Sequence, residues 1–453
     1  MNTTSPNVLV VGGGVSGLVA AYRLRKRLGA AARITLADGA ARLGGKLRTV
    51  TLAGGPVDVG AEAFIARRPE VPALLDELGL SDQLVYPAGL SPLIWSESSL
   101  HPLPQNTLMG IPADADSLRG LVDERALEQI AGERAVPLDW TPGSDMAVGA
   151  LVGERFGAQV VRRSVDPLLG GVYSGLADTI GVRAAIPTLA EALDRGATSL
   201  SAAVVDALPA PSAGPVFGTL RGGYAVLLEA LSAAAAVRIV RENIRSLRRD
   251  GDGWRADPVG CVDGVVLAVP ATELSELLAG IAPRAASASA SIPLASSAVV
   301  ALALPKTANV PPNSGILVAT DEALGAKAFT LSSRKWTHLA ERGVTLVRAS
   351  FGRFGDAGIV DAPDEKLVAA ARRDLEAVTG VSDAPLATHV QRWHGGLPQY
   401  GPGHLDRVAT IEEEIAGLEG VEVAGALLRG VGVPACVAAA TTAATRLAER
   451  MAR

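Results

Sequence analysis

The sequence predicts an α/β protein: a Rossmann-type dinucleotide-binding domain, joined to a mixed-sheet substrate domain and interrupted by a helical insertion. Three observations predict it. The apolar run Val8-Leu9-Val10-Val11 reads as a buried strand and feeds Gly12-Gly13-Gly14-Val15-Ser16-Gly17, with the spacing G-x-G-x-x-G. Ile34-Thr35-Leu36 reads as a second strand, and Asp38 follows it, 21 residues after Gly17. Strand-like runs then return after residue 213 in company with helical patterns.

Each part of the first unit has a physical reason. Gly12 permits the tight turn, Gly14 admits a pyrophosphate against the backbone, and Gly17 lets the helix pack close to the strand. The helix, read from Leu18 to Leu28, offers its first N–H groups and positive dipole end to phosphates. Asp38 stands where a carboxylate grips ribose hydroxyls. Behind it, Arg42-Leu43-Gly44-Gly45-Lys46 lets the backbone pass close to a second part of the dinucleotide, with Arg42 or Lys46 near the phosphates. A glycine-bounded turn runs from Gly54 to Glu62. Glu70 to Leu78 then has apolar residues at helical spacing.

Five segments are expected: 1–88, 213–285 and 413–453 as parts of the nucleotide domain, 89–212 as the helical insertion, and 286–412 as the substrate domain. The insertion carries Pro-rich turns and helical patterns at Ser117–Ile130 and Asp145–Phe156. Its Pro-, Ala- and Ser-rich end, Leu208 to Pro215, marks a boundary. A helix is expected at Ala225–Ala235, and strand-like runs at Val237–Leu247 and Gly264–Val269. Further strand-like runs fall at Ala298–Leu304, Gly315–Val318 and Thr345–Phe351, beside a helix at Asp364–Val378. A last strand from Glu422 leads through Gly430-Val431-Gly432-Val433-Pro434 into a helix from Ala435 to Arg450. That loop puts N–H groups at a second helix N-terminus, suited to an anion or a carbonyl edge. Taken alone, it is equally an ordinary helix cap.

Composition narrows the class. The net charge of −5 and a pI near 5.7 argue against a nucleic-acid surface, and 4% aromatic residues offer no base-stacking platform. Two distant cysteines, Cys261 and Cys436, predict a reducing compartment with no disulfide framework. Five scattered histidines give no metal-ligand spacing. The polar N-terminus and the lack of a long apolar run predict a cytoplasmic protein with no signal peptide or transmembrane helix.

The stretch from Asp38 to Lys46 resembles the R-x-G-G segment of the amine oxidase and glutathione reductase type flavoproteins, although Glu is usual where this chain has Asp38. Further signposts are Gly60-Ala61-Glu62, Asp166 to Gly175, Leu220 to Gly223, Trp393 with Pro398-Gln399-Tyr400 and His404, and Gly430 to Pro434. With these the chain resembles, nearly end to end, the oxygen-dependent protoporphyrinogen and coproporphyrinogen oxidases of haem biosynthesis. It departs at Ala435, where Asp is common, and at Ser174, where Ala is usual.

The resemblance implies an amine oxidase or p-hydroxybenzoate hydroxylase-like fold binding FAD, noncovalently because the fingerprint is complete and no cysteine is placed for flavin attachment. It implies FAD contacts from Gly12, Gly13, Gly14, Val15, Ser16 and Gly17 at the pyrophosphate, and from Asp38 and Gly39 at the adenosine ribose. Arg42, Gly45 and Lys46 would follow, then Gly60, Ala61, Glu62 and Ala63 beside the flavin, and Ile244 at the adenine. Trp393 would lie near the flavin or serve as a packing residue. Val431, Gly432 and Val433 would sit near the pyrimidine end or the ribityl chain. The implied reaction takes hydride from a porphyrinogen in three two-electron rounds, with O₂ reduced to H₂O₂ and the product passed to the next haem-pathway enzyme. No side-chain base is identifiable. Arg67 and Arg68, after the flavin-facing turn, are either propionate ligands or a solvated pair at a helix start. An arginine pair and no membrane anchor favour the tetra-acid coproporphyrinogen III. Protoporphyrinogen IX, a flavin amine oxidase or carotenoid desaturase activity, and a non-enzymatic tetrapyrrole carrier are the alternatives.

Overall fold

The computed structural model describes residues 5–210 and 214–452, so part of the expected boundary at 208–215 lies outside the described residues. A five-stranded parallel sheet collects strands from distant parts of the chain. Its order is Arg238–Val240, Arg33–Ala37, Asn7–Val11, Gly264–Leu267 and Val421–Val423. Helices cover both faces, which is why the central strands read as unbroken apolar runs. Val15–Leu28, Tyr224–Ala235 and Val433–Met451 pack on one face. Ala271–Leu278, Pro283–Ala290 and His404–Ala416 pack on the other.

The run expected as one strand over Val237–Leu247 divides. Arg238–Val240 joins the parallel sheet, whereas Ser246–Asp250 opens an antiparallel meander with Gly253–Asp257 and Gly260–Val262. The polar pair Glu242-Asn243 interrupts the apolar run between them. Ile244 therefore lies in a loop, not in a strand, and is buried against Val11 and Ala37.

The second large element is a seven-stranded sheet. Its order is Ala387–Pro398, Leu294–Pro305, Val344–Phe351, Ala326–Thr330, Gly315–Val318, Leu93–Ser96 and Ser99–Pro102. The last two strands fall within the stretch expected to be helical, and they form one edge of this sheet. Their two-residue turn, Glu97-Ser98, has positive φ at both positions, as a tight hairpin requires. From Glu124 onward the insertion is mainly helical, around Phe156, Val165, Leu169 and Leu189. The helix expected over Ser117–Ile130 begins only at Glu124, where the Asp123 carboxylate caps the Ala126 N–H at 2.9 Å.

Alternation decides what the large sheet faces. Ala298, Val300, Leu302, Val347, Ala349 and Phe351 pack against the helix Asp364–Thr379. Ser297, Arg348 and Trp393 point the other way, toward the nucleotide domain.

Candidate active site

The glycine turn and the loop behind Asp38 close on each other. Gly14 and Gly44 form a parallel bridge, and the Gly44 N–H donates to the Gly13 carbonyl at 2.7 Å. A β-carbon at Gly17 would stand 1.8 Å from the Gly12 carbonyl oxygen, so glycine alone permits this packing. At Gly14 the same β-carbon would meet nothing nearer than 3.9 Å. The space over Gly14 is open to a ligand. The Asp38 carboxylate is fixed at the strand end by the N–H groups of Gly13 (2.6 Å) and Ala40 (2.7 Å).

Two helix N-termini converge here. Val15–Leu28 begins after Gly14 and Val433–Met451 after Gly432, and neither has a side chain capping its first turn. Uncapped N–H groups at paired dipole ends favour an anion. Lys46 reaches solvent in the cleft while protein surrounds it on most sides. That enclosure lowers its pKa, opposed by Glu273 and the nearby Cys436 thiol. These residues fit a dinucleotide pyrophosphate. Arg42, also expected near the phosphates, gives its guanidinium to the carbonyls of Leu43, Gly45 and Leu47 and so folds its own loop.

Farther along the cleft lies Gly60. A β-carbon there would collide with the Lys46 carbonyl oxygen at 1.9 Å and sit 3.2 Å from the Trp393 ring. Trp393 is held by an Nε1–H bond to the Val59 carbonyl at 3.1 Å, and the Arg42 guanidinium lies 5.9 Å from its ring centre. Arg348, on the neighbouring sheet, donates to the Gly60 carbonyl at 2.7 Å. Its Nε–H is buried without a partner among the described residues.

Glu62 is the hub of this region. It accepts from Ser332 Oγ at 2.7 Å and pairs with Lys335 at 3.0 Å and Arg348 at 3.4 Å. Burial pushes its pKa up, but Lys335 and Arg348 outweigh burial and hold it at about 2. Asp58 shows the opposite balance. Burial raises its pKa to about 6 despite bonds from Thr49 Oγ1 (2.5 Å) and the Tyr224 N–H.

The C-terminal loop is braced from the insertion side. Tyr400 Oη donates to the Ala426 carbonyl at 2.5 Å and accepts the Gly430 N–H at 2.8 Å. His404 stacks on Tyr400 with ring centres 3.9 Å apart and contacts the Leu428 carbonyl at 2.8 Å. Val431 packs against the core of the insertion, while Gly432 and Val433 start the helix. Parallel sheet, seven-stranded sheet and insertion therefore meet around these residues.

The remaining expected residues are placed as follows. Gly39 approaches Asn243, next to Ile244, so the residues expected at the ribose and the adenine lie near each other, with Ile244 on a loop. Ala61 is exposed, and Ala63 packs with Val57 and Val59. Arg68 pairs with Glu70, and Arg67 donates to the Gly214 carbonyl at 3.0 Å, both at the surface. Sequence reasoning missed Arg348, Lys335 and Ser332. The one signal was Arg348 itself, a charge inside an apolar strand run.

The chain matches the family of flavin containing amine oxidoreductases over residues 15–448. It is 53% identical over 457 residues to the coproporphyrinogen III oxidase of Mycobacterium bovis, covering 99% of this chain and 98% of that protein. It is 51% identical over 455 residues to the Mycobacterium leprae protein of the same name, covering 99% of this chain and all of that one. A solved structure from Exiguobacterium, provisionally named protoporphyrinogen oxidase, superposes with a TM-score of 0.86 at 29% identity, covering 98% of this chain and 99% of its own. The open phosphate cradle and these full-length matches agree: the chain belongs to the flavin containing amine oxidoreductases, among relatives that include the mycobacterial coproporphyrinogen III oxidases.

Proposed function

We propose that the protein oxidises coproporphyrinogen III to coproporphyrin III, with noncovalent FAD and with O₂ as the acceptor, in haem biosynthesis. The observation that carries this reading is full-length identity above 50% to proteins of that name. When bound, the flavin supplies a hydride acceptor that can pass two electrons on to O₂ as H₂O₂. The chain's own residues bind and orient. Gly12–Gly17 and the two helix N-termini would receive the pyrophosphate, Asp38 would hold the ribose, and Lys46 would counter phosphate charge. Arg348 fixes the Gly60 carbonyl, so Gly60 and Ala61 would meet the flavin from a steadied backbone, and Trp393 would stand near it.

Noncovalent attachment is supported by the cysteines. Cys436 is buried beside Ser16 and Lys46 at the phosphate cradle, and Cys261 is exposed on the meander. Neither stands at Gly60. Arg67 or Arg68 would take a propionate by exchanging the Gly214 carbonyl or Glu70 for substrate. No helix among the described residues is long and apolar enough to cross a membrane, and we place the enzyme in the cytoplasm, handing its product to the next enzyme of the pathway.

The test is oxygen uptake and peroxide release by the holoenzyme with coproporphyrinogen III and protoporphyrinogen IX side by side. A higher kcat/KM for coproporphyrinogen is expected. Preference for protoporphyrinogen would overturn the substrate and leave the family assignment standing. Oxidation of neither, with amines or polyenes consumed instead, would overturn the reading altogether.

A further inference from the structure

Lys327 is a buried cation that the cofactor cradle does not use. It lies in the strand Ala326–Thr330, only 7% exposed, at a slip in register between Ala326 and Ala328. Ala326 and Phe329 face the apolar core under the sheet, whereas Lys327 reaches out to the insertion. Its ammonium donates to Ser174 Oγ and to the Gly352 carbonyl, each at 2.6 Å. Both partners are neutral. No carboxylate lies within 4.0 Å of it among the described residues.

The next charge makes the imbalance larger. Arg353 follows Gly352, is partly buried, and its guanidinium makes no hydrogen bond or ion pair among the described residues. The Asp356 and Asp166 carboxylates act on the Arg353 guanidinium through space, but neither bonds to it, and Asp166 is engaged elsewhere. Its two oxygens already accept from the Ala177 N–H and Thr320 Oγ1, both at 2.7 Å, and burial raises its pKa. Two cations thus share an enclosed place with no anion bonded to them, an arrangement that burial penalises.

The helix that ends at Ser174 also carries exposed apolar surface. Val172, two residues before Ser174, is 42% exposed on a helix whose other side is core. A β-carbon at Gly171 would meet nothing within 4 Å. Gln399 pins the same helix end through the Tyr173 carbonyl at 2.7 Å. The place suits a ligand with a greasy body and an acidic arm.

We propose that Lys327 and Arg353 form a subsite for a carboxylate arm of the substrate, with Val172 against the apolar ring. The proposal rests on the porphyrinogen reading above, and it assigns a residue role the cofactor motifs do not. Burial and the Arg353 charge bring Lys327 down to about 7, so an arriving carboxylate would restore its proton as well as its partner. Ser174 is then the residue that keeps the ammonium aimed while the subsite is empty.

The test uses oxidised holoenzyme titrated with coproporphyrin III and with its tetramethyl ester, followed by porphyrin fluorescence. K327M should weaken the tetra-acid roughly 10- to 100-fold and leave the ester within about twofold, as loss of one charge-assisted contact predicts. K327R should recover most of the binding. R353Q, in a loop where folding is less at risk, should weaken the tetra-acid about tenfold. Equal losses for acid and ester would make Lys327 a structural clamp and overturn the proposal; so would unchanged affinity for both. Oxygen uptake by the wild type is scored separately, so a failed function and a failed subsite give different results.

Discussion

Replacing Glu62 by Gln keeps the side chain's size and its acceptor toward Ser332, and removes only the charge that faces Lys335 and Arg348. Two routes give the magnitude. The pKa of about 2, against an ordinary 4.5, corresponds to about 3 kcal/mol of stabilisation. Breaking a buried pair by removing one partner costs roughly 3–5 kcal/mol, because the other charge stays buried. The sign with pH follows from the depressed value. Glu62 contributes fully above pH 4.5, and the contribution is lost as pH falls toward 2. The glutamine variant lacks that dependence. Urea unfolding at pH 7 should show the variant less stable by about 3 kcal/mol, and the gap should shrink by about 1 kcal/mol at pH 4. Because Arg348 also holds the Gly60 carbonyl, flavin should dissociate more readily from the variant. A gap below about 1 kcal/mol at pH 7, or one that does not narrow at pH 4, would refute the reasoning.

Other outcomes follow from the same geometry. Gly17→Ala should fail to fold or melt far lower, because its β-carbon meets the Gly12 carbonyl at 1.8 Å, whereas Gly14→Ala should fold and purify nearly colourless. Circular dichroism and flavin absorbance separate the two, and a yellow Gly14→Ala protein would remove Gly14 from the phosphate site. Asp58, with its pKa raised to about 6, favours the fold below pH 3.8 and loses that contribution as pH rises through 6. Asp58→Asn should therefore gain on the wild type between pH 4 and pH 7, by up to about 3 kcal/mol in denaturant titrations, and a flat difference would contradict the assignment. Changing Arg67 and Arg68 together to Ala should raise KM for coproporphyrinogen about tenfold more than for protoporphyrinogen, with flavin content unchanged. Equal effects on both substrates would leave the pair to Glu70 and the surface.

What could be read from the sequence was what local geometry dictates. The Gly12–Gly17 turn needs glycine because its own backbone would collide otherwise, so strand, turn, helix and Asp38 were legible together and the α/β fold followed. Partners from far along the chain were not legible. Arg348 meets Gly60 and Glu62 across 288 and 286 residues, and only sheet register brings them together. Lys327 was visible as a rare lysine, but Ser174 gives it meaning from the insertion. Two of the expected cations have partners close by in sequence. Arg42 has three carbonyls of its own loop within reach, and Glu70 stands two residues from Arg68, so nearby groups claim both cations first. The edge hairpin at Leu93–Pro102 hid for another reason: its turn is Glu97-Ser98, which carries the positive φ angles without the Asn-Gly or Asp-Gly that usually marks them. Charges in this fold are thus settled first by sequence neighbours, and those left over by register become the ones that hold the cleft. By that rule Lys327 and Arg353, with no anion bonded to either among the described residues, are where we place the substrate's own charge.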